Sequence, residues 1–112
     1  MLNVLISRMA AYCFFDMYEV TDSEKLEQYR SGVLATVKRY GGKYVLVGGK
    51  CDIVEGNWRP TFPVLIEFPS LEAAHRWYNS QEYAPLKALR LSGTKNNVVF
   101  MESETSPFTS AK

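Results

Sequence analysis

Apolar runs alternate with polar or glycine-bearing breaks along this chain, in an order that predicts strand, helix, strand, strand, helix, strand. Residues 11–20, AYCFFDMYEV, are rich in aromatic side chains and read as a first strand. Thr21 and Glu24 then stand at the spacing of a capping box. Leu26, Tyr29, Val33, Val37 and Tyr40 recur every three or four positions, one apolar stripe on a helix from about Ser23 to Tyr40. Gly41-Gly42 ends it, because glycine accepts the left-handed backbone of a helix terminus. KYVLV is a second strand; Gly48-Gly49 permits a bulge, and KCDIVEG is expected to carry the strand past it. EGNWRP is turn-rich, and Pro60 and Pro63 delay the third strand to about Phe62 or Val64. Ser70 can cap a helix over LEAAHRWYN, which breaks at Asn79-Ser80. A further helical piece runs from about Tyr83 to Leu91, with Pro85 tolerable only in its first turn. GTKNN is expected to turn the chain into a last strand, VVFME.

That order predicts an α+β fold, ferredoxin-like βαββαβ, with a four-stranded antiparallel sheet and helices on one face. The first and third strands would be central. Such a sheet should alternate apolar with polar, and these strands do so poorly. In the first, Cys13, Phe15 and Met17 share one face while Tyr12, Phe14, Asp16 and Tyr18 share the other. In the third, Val64, Ile66 and Phe68 oppose Leu65 and Glu67. Helices on one side cannot cover both faces, so a second copy of the chain is the expected cover. Two sheets face to face would close a barrel-like core, a dimeric α/β barrel.

A length of 112 residues fits one domain, expected over residues 10–102, with a short N-terminal extension at 1–9 and a polar tail at 103–112. The 46% of hydrophobic residues suffices for a real core. Thirteen basic against twelve acidic residues, with no Lys/Arg run, argue against nucleic acid as a partner. No apolar run approaches the roughly 20 residues that span a bilayer, so no membrane partner is expected. MLNVLISR has neither the apolar core nor the cleavage pattern of a signal peptide, and a cytoplasmic location follows as the expectation. Cys13 and Cys51 lie far apart, in no C-x-x-C or Cys/His cluster, and read as reduced thiols.

Candidate chemistry begins with Glu67, a carboxylate inside the apolar run FPVLIEFPS. It is either paired with a cation or useful as a general base or ligand anchor in a poorly solvated space. Asp16 has the same two readings. Arg59 and Arg90 could pair with these carboxylates or hold an anionic ligand through a bidentate contact. Trp58 is a pocket lid or a dimer contact, and Tyr83, after the helix break, could aim its hydroxyl inward. Tyr12 and Tyr18 could bond a ligand from the strand. Trp77 and Tyr78 share a helix face with Leu71 and Ala74 and read as core. His75, the sole histidine, reads as solvent-facing, with haem ligation the alternative. No metal-ligand spacing, Ser-His-acid set or phosphate-binding glycine loop is present, so neither metal nor cofactor is expected.

The Gly48-Gly49 pair, EG-x-W-x-P, IEFPS and A-x-x-W-Y-x-S-x-E-Y together resemble the domain-of-unknown-function 1330 (DUF1330) family, from about Ala10 to Glu102. The resemblance implies a ferredoxin-like domain of the dimeric α/β-barrel superfamily and a homodimer. It implies little about chemistry, since the family has no settled activity. The wider superfamily includes cofactor-free monooxygenases, lactone isomerases, haem-degrading enzymes and non-catalytic ligand or regulatory modules, and any of these would be analogy from fold. The expectation is a small homodimer with a pocket for a small organic molecule, open to cofactor-independent acid/base chemistry. In that reading Glu67 is base or anchor, Arg59 or Arg90 the anion partner, and Trp58 and Tyr83 the apolar wall. The alternatives are a non-catalytic binding or structural dimer and haem handling through His75.

Overall fold

The computed structural model describes residues 9–104. The expected N-terminal extension, apart from Met9, and the tail beyond residue 104 lie outside the described residues. The elements are β1 (Ala11–Val20), α1 (Ser23–Arg39), β2 (Lys43–Val47), β3 (Pro63–Phe68), α2 (Leu71–Tyr78), α3 (Ala84–Gly93) and β4 (Thr94–Glu102). The four strands form one sheet in the order β2-β3-β1-β4, every neighbouring pair antiparallel. β1 and β3 are therefore central, and the fold is the ferredoxin-like α+β arrangement.

Local chemistry explains most element ends. Ser70 Oγ accepts from Ala73 N at 3.0 Å and starts α2, while Pro85 sits in the first turn of α3, where its missing N–H costs nothing. Gly41, at φ +82°, lets the chain leave α1. Three expectations need correction. The cap of α1 is Asp22, not Thr21: its carboxylate accepts from the N–H groups of Glu24 and Lys25 at 3.1 and 3.2 Å. An ionised cap also complements the positive end of the helix dipole.

The second correction concerns KCDIVEG, which does not extend β2. Gly48 and Gly49, at φ +66° and +108°, turn the chain into an irregular connection over residues 48–62. A Cβ on Gly48 would come within 2.5 Å of the Phe62 ring, so the strand end and the far end of the connection close on each other. The third concerns GTKNN, which is not a turn. Gly93 ends α3 and Thr94 begins β4 directly. The Gly93 carbonyl accepts from Thr21 N and Asp22 N at 2.8 and 3.0 Å, tying the α3–β4 junction to the β1–α1 junction. A Cβ at Gly93 would crowd Lys25 Cβ at 2.9 Å, so only glycine allows this approach.

The register places Cys13 opposite Ile66 and Phe100, and Phe15 opposite Val64 and Val98, all facing the helices. There they meet Leu26, Tyr29, Val33 and Val37 of α1 and Ala73, Ala74 and Trp77 of α2. Trp77 is fully buried and its Nε1 donates to Thr36 Oγ1 at 3.0 Å. Burial pushes the Cys13 thiol up to about 12, which suits an inert, reduced core residue. No helix among the described residues is long and apolar enough to cross a membrane.

Candidate functional site

The helices do not fill all the space above the sheet. Between α1 and the inward faces of β1, β2 and β3 lies a cavity of about 680 Å³, closed at one end by α3. Phe15, Ile66, Val64 and Val33 make much of its wall. Its mouth is marked by Leu34, Val47 and Arg30, which are exposed. Four lining residues bring polar groups inward or to the rim: Tyr29, Tyr44, Arg90 and Asn96, with Arg30 outside them.

α3 supplies the most unusual of these. Arg90 is 2% exposed, yet it forms no ion pair among the described residues. Its Nε donates to the Tyr83 hydroxyl at 3.2 Å and an Nη2 hydrogen to the Tyr78 hydroxyl at 3.1 Å. Its guanidinium carbon stands 5.2 Å from the centre of the Phe15 ring. Tyr83 is buried in turn and shares a 2.9 Å hydrogen bond with the Tyr29 hydroxyl. Burial raises the pKa values of the phenols Tyr29, Tyr44 and Tyr83. Tyr44 is pushed up to about 12, by burial first and by Tyr83 second. Tyr29 is displaced further upward, again by burial first and then by Tyr83. Tyr83 also moves up because it is buried, although Arg90 beside it pulls the other way. All three are therefore neutral at physiological pH and can donate a hydrogen bond. The lining contains no carboxylate and no histidine.

The residues expected from sequence divide among three places. Arg90 lines the cavity and Tyr83 stands directly behind it. Glu67 does not line it. Alternation along β3 turns it to the other sheet face, opposite Tyr12 on β1 and Lys43 on β2. Its carboxylate is 29% exposed and lies 3.8 Å from Lys43 Nζ. Asp16 is 4% exposed, and its Oδ1 accepts the N–H groups of Thr61 and Phe62 at 2.8 and 2.9 Å. It thus fastens the long connection to β1, a task the sequence pattern did not suggest. Trp58, 64% exposed, leans on Phe14 across 5.8 Å on the open side of the sheet. Arg59 lies in a shallow surface depression with Lys50 and Cys51, and Tyr18 is exposed at the end of β1. His75 is exposed on α2 with its ring against Phe100, at 5.1 Å, and does not line the cavity.

Tyr29, Tyr44 and Asn96 were not singled out from sequence. Tyr29 read as one more apolar position of α1. A hydroxyl on an otherwise aliphatic stripe was the available signal, since a buried phenol must find a partner. Asn96 fell in the expected turn, so its inward register opposite Met17 was hidden.

A sequence profile described as "Domain of unknown function (DUF1330)" matches residues 10–103, nearly the whole described chain. The chain belongs to the DUF1330 family. Solved structures similar to this DUF1330 protein share its fold at low identity. A protein of unknown function from Rhodopseudomonas palustris is 14% identical with a TM-score of 0.69, covering 85% of this chain and 82% of its own. A protein from Caulobacter crescentus proposed as an antibiotic biosynthesis monooxygenase is 11% identical with a TM-score of 0.58, covering 90% and 94%. SnoaB from Streptomyces nogalater, a cofactor-independent oxygenase, is 11% identical with a TM-score of 0.52, covering 89% and 96%. At such identities the likeness is one of fold. No curated protein matches the chain.

Proposed function

We propose that this DUF1330 protein is a cytoplasmic homodimer that holds a small, largely apolar organic molecule in the cavity between α1 and the sheet. The observation that carries the reading is the cavity itself: about 680 Å³, walled by apolar side chains with a few convergent polar groups. That combination marks ligand sites, and its volume suits a molecule of two or three fused rings. Closing such a space with side chains would have been a simple gain in stability, since cavities cost free energy in proportion to their size.

The second copy belongs on the open sheet face. Phe14, Leu65, Leu46, Val99 and Met101 face that way by register, and Trp58 adds to them. Val99, Met101 and Leu46 are each about half exposed in the single chain. Fold neighbours that pair as dimeric barrels support the same arrangement. The Lys43–Glu67 pair then sits at the rim of the contact, and Asp16 holds the connection that carries Trp58.

Ligand binding is favoured over base catalysis because the cavity lining offers no carboxylate or imidazole. Phenols held neutral by burial are poor proton acceptors at physiological pH. Cofactor-independent acid/base chemistry would have to use them as donors, polarising a carbonyl or an enol of the bound molecule. Amide shift mapping with bicyclic aromatic probes tests the site. Changes clustered at Phe15, Val33, Tyr44 and Ile66 are expected, and changes confined to Val99 and Met101 would remove the cavity from consideration.

A further inference from the structure

The cavity's polar groups are unbalanced in sign, and the imbalance specifies a ligand. A guanidinium carries five N–H donors, and Arg90 directs only two of them to protein acceptors, the hydroxyls of Tyr83 and Tyr78. Both acceptors are phenol hydroxyls, and neither is a carboxylate. A cation at 2% exposure without a counter-ion has lost water and gained no negative charge in return. Arg59 and Arg30 are exposed and carry no such cost. In the lining of the same cavity, Asn96 Oδ1 is buried and accepts no hydrogen bond among the described residues, while its Nδ2 donates to Thr94 Oγ1 at 2.8 Å. Buried acceptors are almost always satisfied, so an orphan that lines a cavity points to a donor on whatever fills it.

We propose that the cavity selects an organic monoanion with a flat apolar body, its carboxylate on Arg90 and a ring hydroxyl donating to Asn96 Oδ1. This deepens the ligand-site reading and rests on it. The apolar wall takes the ring body, as Phe15, Ile66 and Val33 require. The carboxylate supplies the charge that the fold withholds from Arg90, and the fork of the guanidinium matches its two oxygens. A neutral ligand would leave the cation as it is. A ligand without a donor would leave Asn96 orphaned. The aromatic hydroxy acids meet both demands.

Calorimetric titration with a naphthalene carboxylate, the corresponding neutral carboxamide and hydroxy carboxylates bearing the hydroxyl away from the ortho position tests the assignment. The wild type is expected to bind the carboxylate about 10- to 100-fold more tightly than the carboxamide, the range of a charge-assisted hydrogen bond. A hydroxyl at the position that reaches Asn96 should add a further gain of about three-fold or more, which Asn96→Ala abolishes. Arg90→Met should bring carboxylate and carboxamide to nearly equal affinity, the carboxylate losing far more than the carboxamide. Should that variant not fold, Arg30→Met decides: a carboxylate preference kept in it holds the anion on Arg90, and a preference lost in it ends the assignment to Arg90. Equal binding of both probes by the wild type overturns the anion assignment and leaves the cavity as a ligand site. Binding of neither, up to millimolar concentration, overturns the ligand site together with it. A carboxylate preference that persists in Arg90→Met moves the anion to the exposed Arg30 and ends the assignment to Arg90.

Discussion

The two faces of the sheet are built from the same strands and are nearly equally apolar, yet they are completed differently. On the helix side, Cys13, Phe15, Ile66 and Phe68 are buried, and the space left over is a cavity whose polar groups come from α1, β2, α3 and β4. On the open side, Phe14, Leu65, Val99 and Met101 form a surface bordered by the Lys43–Glu67 and Lys95–Glu19 ion pairs, with no helix over it among the described residues. A face closed within one chain can leave a defined hole, because packing around it is fixed by covalent connections. A face left for another molecule must be smooth and self-complementary. The comparison teaches that apolar excess has two uses here, one for a ligand and one for a partner.

The largest effect is expected where a charge enters the open face. Val99→Asp places an unpaired carboxylate at the centre of the proposed contact, where desolvating it costs several kcal/mol. Dimer dissociation should strengthen by at least about a hundred-fold. Sedimentation should then show one chain's mass at micromolar concentration, while the cavity still binds its probes. A wild type that already sediments as a single chain would dissolve the proposed use of this face.

Next comes the link between the faces. Asp16→Ala removes the acceptor of two backbone N–H groups that hold Thr61 and Phe62. Buried hydrogen bonds to a charged group are worth about 1.5–3 kcal/mol each, and water can recover part of the loss. A net cost of about 2–3 kcal/mol should lower the melting temperature by about 10–20 °C in a domain of this size. Because Phe62 also lines the cavity, probe affinity should fall as well. Asp16→Asn, which keeps an acceptor oxygen, should recover much of the loss. Equal melting temperatures for wild type and Asp16→Ala would deny the residue its anchoring task.

A smaller effect separates the faces by pH. Tyr44 and Cys13 are buried on the helix side and are both raised to about 12, from ordinary values of 10.0 and 9.0. The folded protein therefore keeps protons that the unfolded chain sheds first. The stability they contribute is whole below pH 9 and is lost as pH rises towards 12. Urea midpoints should fall through that interval, and Tyr44→Phe should make the fall shallower. An unchanged slope in the variant would mean that its phenol is solvated.

Much of the fold was legible because its signals are local. The stripe of α1, the cap at Ser70 and the glycine stop at Gly41 each act within a few residues. The central position of β1 and β3 followed from element order alone. The missed elements are those settled by distant partners. Nothing near KCDIVEG says that Gly48 must turn to meet Phe62, or that Gly93 must sit against Lys25. The site was less legible for a related reason. A carboxylate in an apolar strand is conspicuous, so attention falls on Glu67 and Asp16. The cavity's polar groups are instead Arg90 and Tyr29 on helices and Tyr44 and Asn96 on edge strands, where such residues are ordinary. Only packing reveals that Arg90 has been drawn inside.

The smallest expected effect bears most directly on the role of Glu67. With its carboxylate 29% exposed and Lys43 at 3.8 Å, the pair is loose and partly hydrated. Such pairs contribute about 0–1 kcal/mol, because side-chain ordering and water offset the attraction. Glu67→Gln should therefore shift the melting temperature only slightly and leave affinity for the naphthalene carboxylate unchanged within about two-fold. Its effect on dimer dissociation should be of the same modest size, since the residue lies beside the contact's apolar centre rather than in it. A large loss of ligand binding would mean that the molecule is held on the open face, against a carboxylate, and not in the cavity beneath α1. The two faces would then exchange roles. The conspicuous acid in FPVLIEFPS would be the anchor after all, and Arg90 a core residue with an unpaired charge.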